Sequence, residues 1–382
     1  MTVSSRTDRY LHLVATIAIV GQLAVQAHDT GHEDVVQASK MTAPSKPLPT
    51  VVEHAGPVKA PAKIDRSAAP KLTGQGYWKF VPVTDGVLPI PAEAQPALKG
   101  AHGTIVIDNE RDIAYWGLEN IGWIAFSERL TKSQVIHGDP AFSKGNLHGA
   151  DLLPRKGKLP LVAVADNVEG EVYLSDTTFQ KAEKVEWPGK APYKSKGEFH
   201  PTDVAFTGPE QIFITDGYGR ANFMAATTAP LQYQGEILGG KEISQTPHGV
   251  THKADSQSLV FSARPEAQLK TWSLRKHAWT ETDGLPGGST VCDIDIWGDY
   301  ALAPCLDGPG NSPGPIYIVN LKKKTIVSTL RAKEDLGFPL AQHIHDAAWY
   351  VVGKGAKREV YVLFTNWNPG GIGAMKLVNV AD

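Results

Sequence analysis

Cysteine is nearly absent from this chain. There are two in 382 residues, Cys292 and Cys305, so no disulfide framework can hold a fold of this size and its core must come from packing. Net charge is small as well: 38 Lys and Arg stand against 40 Asp and Glu. Without a basic field, nucleic acid is not an expected partner. Past the N-terminal residues no apolar run approaches the roughly 20 residues of a membrane span, so the mature protein is expected to be soluble. Common catalytic signatures are missing too: no Gly-x-Ser-x-Gly elbow, no phosphate loop, no His-Glu-x-x-His helix. What the chain does have is 37 glycines and 27 prolines, which suits a turn-rich β protein better than a helical one.

The N-terminus reads as an address. Arg6 and Arg9 precede an apolar run over residues 11–25, and Val25-Gln26-Ala27 places small residues at the −3 and −1 positions of a cleavage site. Residues 1–27 are therefore expected to be a secretory signal peptide, too short for a convincing span, with an uncleaved anchor as the alternative. Export would make the protein secreted or periplasmic. Residues 28–73 are rich in Ala, Pro, Lys and Ser without a hydrophobic period, and read as a flexible tether. Cleavage after Ala27 would leave His28 as the new terminus, with His32 and Glu33 close by. A terminal amine beside an imidazole can bind copper or zinc; the alternative is a chance histidine in a tail.

A repeat dominates the rest of the sequence. Six markers recur: His102-Gly103, His148-Gly149, His200-Pro201-Thr202-Asp203, His248-Gly249, Cys292-Asp293 and His345-Asp346, at steps of 46, 52, 48, 44 and 53 residues. A short strand follows each marker, then a turn and a richer β run, such as Ile113-Ala114-Tyr115-Trp116 or Leu259-Val260-Phe261-Ser262. A third strand and, in most units, a fourth complete the pattern. Four antiparallel strands at this period make a propeller blade. The last unit stops after its third strand, and residues 77–83 upstream supply the missing fourth. The fold expected for residues 74–382 is thus an all-β, six-bladed β-propeller with four-stranded antiparallel blades, its ring closed by an N-terminal strand so that no edge is left bare.

Propeller geometry turns the repeat into a map. First strands line the central channel, so the six markers should crowd one mouth, rimmed by Asp216, Gly217, Tyr218 and Arg264 from the loops between second and third strands. His148, His248 and His345 lie on alternate blades and approach with near three-fold symmetry, and three imidazoles with an open position hold a catalytic zinc. His102, His200 and His343 are expected to stand behind the ligands or face the substrate, or to form the site in place of one of the three. Asp203, Asp293 and Asp295 read as turn and strand-edge hydrogen-bonders, with Asp295 placed to line the channel. Cys292 begins the fifth inner strand and Cys305 ends its antiparallel neighbour. Opposite each other within a Cα separation of about 4.4–6.8 Å, they are expected to form a disulfide in an oxidising compartment.

Here a family resemblance becomes specific. His148-Gly149, Pro201-Thr202-Asp203-Val204-Ala205, Asp216-Gly217-Tyr218, Pro247-His248, Arg264 sixteen positions on, and His345-Asp346 resemble the lyase domain of peptidylglycine α-amidating enzymes, a zinc-binding six-bladed propeller with NHL-like repeats. The resemblance implies zinc on His148, His248 and His345, an active-site tyrosine at Tyr218, an arginine at Arg264, and a structural calcium at Asp346 with the Ala150 backbone. It also has departures. The first-blade arginine of that family has no counterpart between Tyr115 and Asn120, and Gly219-Arg220-Ala221-Asn222 replaces its Cys-Asn-Ser-Arg, leaving Arg220 as a substitute. The family's disulfide near the tyrosine is missing, and no copper monooxygenase domain accompanies the propeller. Two functions follow as expectations: a metal-dependent lyase or hydrolase acting on a small-molecule or peptide substrate, or a non-catalytic periplasmic zinc carrier. The protein is expected to be a monomer.

Overall fold

The computed structural model describes residues 47–50 and 71–378; residues 1–27, expected to be a signal peptide, and His28, His32 and Glu33 lie outside the described residues. Six antiparallel sheets are arranged as the blades of a propeller. Blade 1 runs Ile105–Asp108, Ile113–Leu118, Gly122–Ser127 and Lys132–Ile136. Blade 2 runs Leu147–Leu153, Leu161–Asp166, Glu171–Asp176 and Glu183–Val185. Blade 3 begins at Asp203–Gly208 and ends at Leu231–Gly239, blade 4 spans Pro247–Lys253 to Ala278–Gly284, and blade 5 spans Asp295–Trp297 to Thr325–Leu330. Blade 6 contains Ile344–Val352, Glu359–Asn366 and Gly371–Leu377. Among the described residues no helix is long and apolar enough to cross a membrane.

The burial pattern explains why the middle strands read as unbroken apolar runs. Each blade packs face to face on its neighbours, so both faces of a second or third strand are covered. In Leu161–Asp166 every residue after the first is buried, and Gly122–Ser127 is buried up to its last residue. Outer strands such as Lys132–Ile136 face solvent and keep polar residues. The core is accordingly a series of clusters between blades rather than one central mass, because the axis is a channel.

Closure follows the expected route. Trp78–Pro82 pairs with Gly371–Leu377 as the outer strand of blade 6, with Phe80 facing Leu377, and Trp78 and Phe80 are 2% and 0% exposed. One strand more than expected is present: Thr73–Gln75 folds back on Trp78–Phe80, making this sheet five-stranded. The extra strand also reaches blade 5, where Thr329 N donates to Gln75 Oε1 at 2.8 Å and Arg331 N to Thr73 Oγ1 at 2.7 Å. Within the stretch read as tether, residues 47–50 lie along the outer strands of blades 4 and 5. Leu48 N donates to Gly284 O at 2.6 Å, Ile326 N donates to Pro49 O at 2.9 Å, and Leu48 joins a buried cluster with Leu285 and Ile326.

Aspartates lace the inner strands together. Asp151 accepts from Phe206 N (2.7 Å), Asp203 from Val250 N (2.6 Å), Asp295 from Trp349 N (2.7 Å) and Asp346 from Ile105 N (2.9 Å). Each bond crosses to the inner strand of the next blade and satisfies a backbone donor that the channel would otherwise leave bare.

The expected disulfide is not formed: Cys292 and Cys305 are both free and buried. A one-residue offset is the reason. Val291, not Cys292, faces Cys305 across the ladder, and successive side chains on a strand point to opposite faces. Cys305 therefore sits with Val291 in the core cluster of Ala301 and Tyr317, whereas Cys292 points toward the mouth, where its Sγ lies 3.1 Å from Arg264 Nη2. Thiol titration of unfolded, unreduced protein should count two thiols per chain; none would restore the disulfide.

Candidate metal centre at the channel mouth

Register defines the ring at the mouth more sharply than the markers did. Ile105 faces Trp116, Ala150 faces Val164, Val204 faces Ile214, Val250 faces Phe261 and Ala347 faces Phe364. Two residues upstream of these equivalent positions stand Gly103, His148, Thr202, His248 and His345. In blade 5 the offset at Val291 puts Cys292 at that level. The ring is therefore Gly, His, Thr, His, Cys, His, with imidazoles on alternate blades. His102 and His200 precede the ring by one and two residues, an offset that the marker repeat concealed.

That offset separates their fates. The His200 ring turns to the loops, with its nitrogens 2.8 and 3.1 Å from the carbonyl oxygens of Asn167 and Gly197. His102 reaches back over the ring because Gly103 leaves room beneath it. A Cβ at Gly103 would stand 1.8 Å from His148 O and 3.4 Å from His345 Nδ1, so blades 1 and 2 meet there only through a glycine. Gly103→Ala should cost about 3 kcal/mol, the upper end of ordinary overpacking, read as a fall in melting temperature.

Four imidazoles now form one cluster. Ring centroids of His148, His248 and His345 lie 4.7, 4.7 and 4.9 Å apart, and His102 lies 4.6 Å from His148 and 4.2 Å from His345. Ligand atoms of His102, His148 and His345 all lie within 4.8 Å of one another, close enough to hold a metal ion. Hydrogen bonds set the tautomers. His148 Nδ1 is 2.7 Å from Thr202 O and His248 Nδ1 is 2.7 Å from Cys292 O. A carbonyl can only accept, so both Nδ1 atoms carry the proton and both Nε2 atoms offer a lone pair. His345 Nδ1 is buried without a partner.

Over these lone pairs sit Tyr218 and Arg264. Tyr218 Oη is 2.9 Å from His248 Nε2 and 3.3 Å from His148 Nε2. Arg264 Nη1 donates to Tyr218 Oη at 2.8 Å, and Nη2 lies 3.3 Å from His345 Nε2. No carboxylate pairs with Arg264 among the described residues; its guanidinium, partly open to solvent, donates to Tyr218 Oη and Cys292 Sγ. An anion at the mouth would give it a charged partner. Burial raises the Tyr218 hydroxyl above the usual tyrosine value, with the Arg264 charge pulling the other way.

The histidines are held neutral. Burial lowers His148, His248 and His345 well below the usual 6.5, and lowers His102 to about 4 against an opposing bond to Asn146. Protons compete with metal for an ordinary imidazole near pH 6.5. Metal affinity here should stay flat down to about pH 6.5 and fall only well below it. A chelator-competition titration across pH checks this, and a decline centred at 6.5 would contradict it.

Beneath the histidines a cavity of about 270 Å³ continues along the axis, lined by His148, His248 and His345 above and by Asp151, Asp203, Asp293, Asp295 and Asp346 below. Burial raises Asp151 and Asp295 to about 6 and Asp346 to about 7, and Asp203 and Asp293 well above the usual range. Ala150 lines the same channel. Other expected residues lie apart. Arg220 pairs with Glu198 through two bonds of 3.0 and 2.7 Å, and His343 sits 3.2 Å from Asp307. Asp216 is buried, accepting from Tyr193 Oη and from the backbone of His200 and Arg220, which shapes the loop that presents Tyr218.

Two residues escaped the sequence reading. Asn146 Oδ1, 2.9 Å from His102 Nδ1, orients that ring. Trp367, 41% exposed, stacks on His102 at 5.9 Å with planes 28° apart. Its place just after the second strand of blade 6, where blade 3 carries the loop of Tyr218, was the available signal.

The fold and this mouth define a β-propeller with a histidine site able to take a metal. No protein-family profile matches the chain, and no curated protein does. Among solved structures it is similar to a chain from a nidogen/laminin complex, at 12% identity and a TM-score of 0.50 over 72% of this chain and 95% of that one. It is also similar to a luciferin-regenerating enzyme, at 9% identity and a TM-score of 0.52 over 76% of this chain and 95% of that one. Likeness at such identities concerns the fold.

Proposed function

We propose that the protein is a metal-dependent lyase or hydrolase whose ion, zinc in this reading, is held at the mouth by His148, His248 and His345. The observation that carries it is the Tyr218 hydroxyl, poised over two histidine lone pairs and bonded to Arg264. When bound, the ion would supply positive charge to polarise a substrate oxygen and to favour the tyrosine phenolate. On an α-hydroxyglycine peptide, Tyr218 Oη would take the substrate hydroxyl proton and the C–N bond would break as glyoxylate's carbonyl forms. The amide nitrogen would then receive a proton. Arg264 would bind the substrate carboxylate or the developing negative charge. The reading rests on resemblance in Tyr218, Arg264 and the three histidines; without a first-blade arginine, another anionic substrate is compatible with the same site. The resemblance also implies a calcium ion at Asp346 and the Ala150 backbone, where one Asp346 oxygen already accepts from Ile105 N. Export and a monomeric state belong to the same proposal.

One observation favours the carrier reading: His102 offers a fourth imidazole, and a fully ligated ion has no position for substrate. The test is elemental analysis of untagged protein, with amide and glyoxylate release measured from an α-hydroxyglycine peptide. Absence of metal would sink both readings. Metal without turnover, together with release of zinc to an acceptor, would favour the carrier.

A further inference from the structure

We propose that the mouth holds two overlapping metal positions that share His148 and His345, an inner one completed by His248 and an outer one completed by His102. This rests on the metal site proposed above and adds a position to it. The four rings do not form a closed square. His102 touches His148 and His345, and His248 touches the same two, at centroid separations of 4.2–4.9 Å. Among the described residues no ring contact joins His102 to His248. Two triangles therefore share the His148–His345 edge, itself 4.7 Å long.

The triangles differ in what occupies their third corner. His248 Nε2 is already engaged by Tyr218 Oη at 2.9 Å, so an ion entering the inner triangle must displace that hydroxyl or bind beside it. The outer triangle is the one whose ligand atoms already converge within 4.8 Å. His102 is prepared for the role from both sides. Its Nδ1 faces Asn146 Oδ1, an acceptor that keeps the proton there and leaves Nε2 free. Its ring is backed by Trp367, which is itself open to solvent. An ion in the outer triangle leaves the Tyr218–His248 bond intact, while at the two shared corners either ion meets Tyr218 Oη, 3.3 Å from His148 Nε2, and Arg264 Nη2, 3.3 Å from His345 Nε2. The inner position is where the Tyr218 hydroxyl meets the third ligand, His248. Because two corners are common, only one position fills at a time. Ligands that are all neutral imidazole suit zinc, copper or nickel rather than magnesium or calcium.

The sharing gives a pattern that neither a single three-ligand site nor a single four-ligand site would produce. Full-length His102→Ala, His248→Ala, His148→Ala, His345→Ala and the double variant at 102 and 248 are dialysed against zinc. Bound metal is counted, affinity is measured by chelator competition, and a cooperative thermal transition is required of each. His102→Ala and His248→Ala should each keep one zinc per chain at saturation; because the affinities of mutually exclusive positions add, the variant that retains the tighter position should weaken by no more than about two-fold, and the other should fall to the affinity of the weaker position. His148→Ala, His345→Ala and the double variant should lose it. Cobalt in place of zinc adds a readout that does not depend on affinity: its visible spectrum should differ between His102→Ala, with the ion confined inside, and His248→Ala, with the ion confined outside. If a variant fails to fold, the conservative His→Gln replacement at that position takes its place. Loss of metal in His248→Ala with a wild-type His102→Ala would overturn the outer position while leaving the enzyme reading intact. Equal weakening in all four single variants would mean one four-histidine site and overturn the two positions. Wild-type protein that binds no metal would overturn this inference and the proposed function together.

Discussion

Deleting residues 1–84 should abolish cooperative unfolding, whereas deleting residues 1–70 should leave it. The longer deletion removes Trp78–Pro82, the outer strand of blade 6. Trp78 and Phe80 are buried in the cluster that joins blades 5 and 6, with Leu302, Trp349, Val362 and Met375. Losing a buried Phe or Trp typically costs about 3–5 kcal/mol, so two of them approach the whole stability of a domain, about 5–15 kcal/mol. The deletion also bares Gly371–Leu377 as an edge strand, a template for aggregation. By contrast, what the shorter deletion removes among the described residues is Leu48 and two backbone hydrogen bonds along blades 4 and 5, a loss of about a few kcal/mol. Circular dichroism melts and size-exclusion chromatography decide between them. Similar cooperative melts for both truncations would show that the ring does not depend on this closure.

The closing strand was legible because of a deficit: the last unit lacked a fourth strand and the chain upstream offered one. Blade number was legible for a similar reason, since second and third strands buried on both faces stand out as apolar runs. Register was not. His102, Gly103 and Thr104 read like His148, Gly149 and Ala150, yet pairing of Ile105 with Trp116 puts Gly103 rather than His102 at the ring level. A one-residue slip leaves composition and period unchanged while turning a side chain to the other face. The same slip at Val291 and Cys305 removes the disulfide. Loop partners such as Glu198 for Arg220 were hidden too, because they come from another blade's connection and carry no repeat.

Tyr218→Phe should leave metal content unchanged and lower turnover by about 10²- to 10⁴-fold, the range for loss of a general acid or base. The ring of Tyr218 packs edge-on against His148 and His248 at 5.2 Å, contacts that phenylalanine keeps. What disappears is the hydroxyl that receives Arg264 Nη1 and meets His248 Nε2. Stability should change little, because Tyr218 is 38% exposed and water can reach the freed guanidinium. Neither nitrogen that orients the histidines is touched, since His148 and His248 are fixed through Nδ1 to Thr202 O and Cys292 O. The pH profile separates a proton-transfer role from a positioning one. Burial raises the Tyr218 hydroxyl while Arg264 opposes the rise, so turnover that needs the phenolate should climb with pH in the wild type. Residual turnover in Tyr218→Phe should lose that climb. A variant with full metal, full turnover and the same profile would remove Tyr218 from the chemistry and leave its hydroxyl as a lid over the histidines.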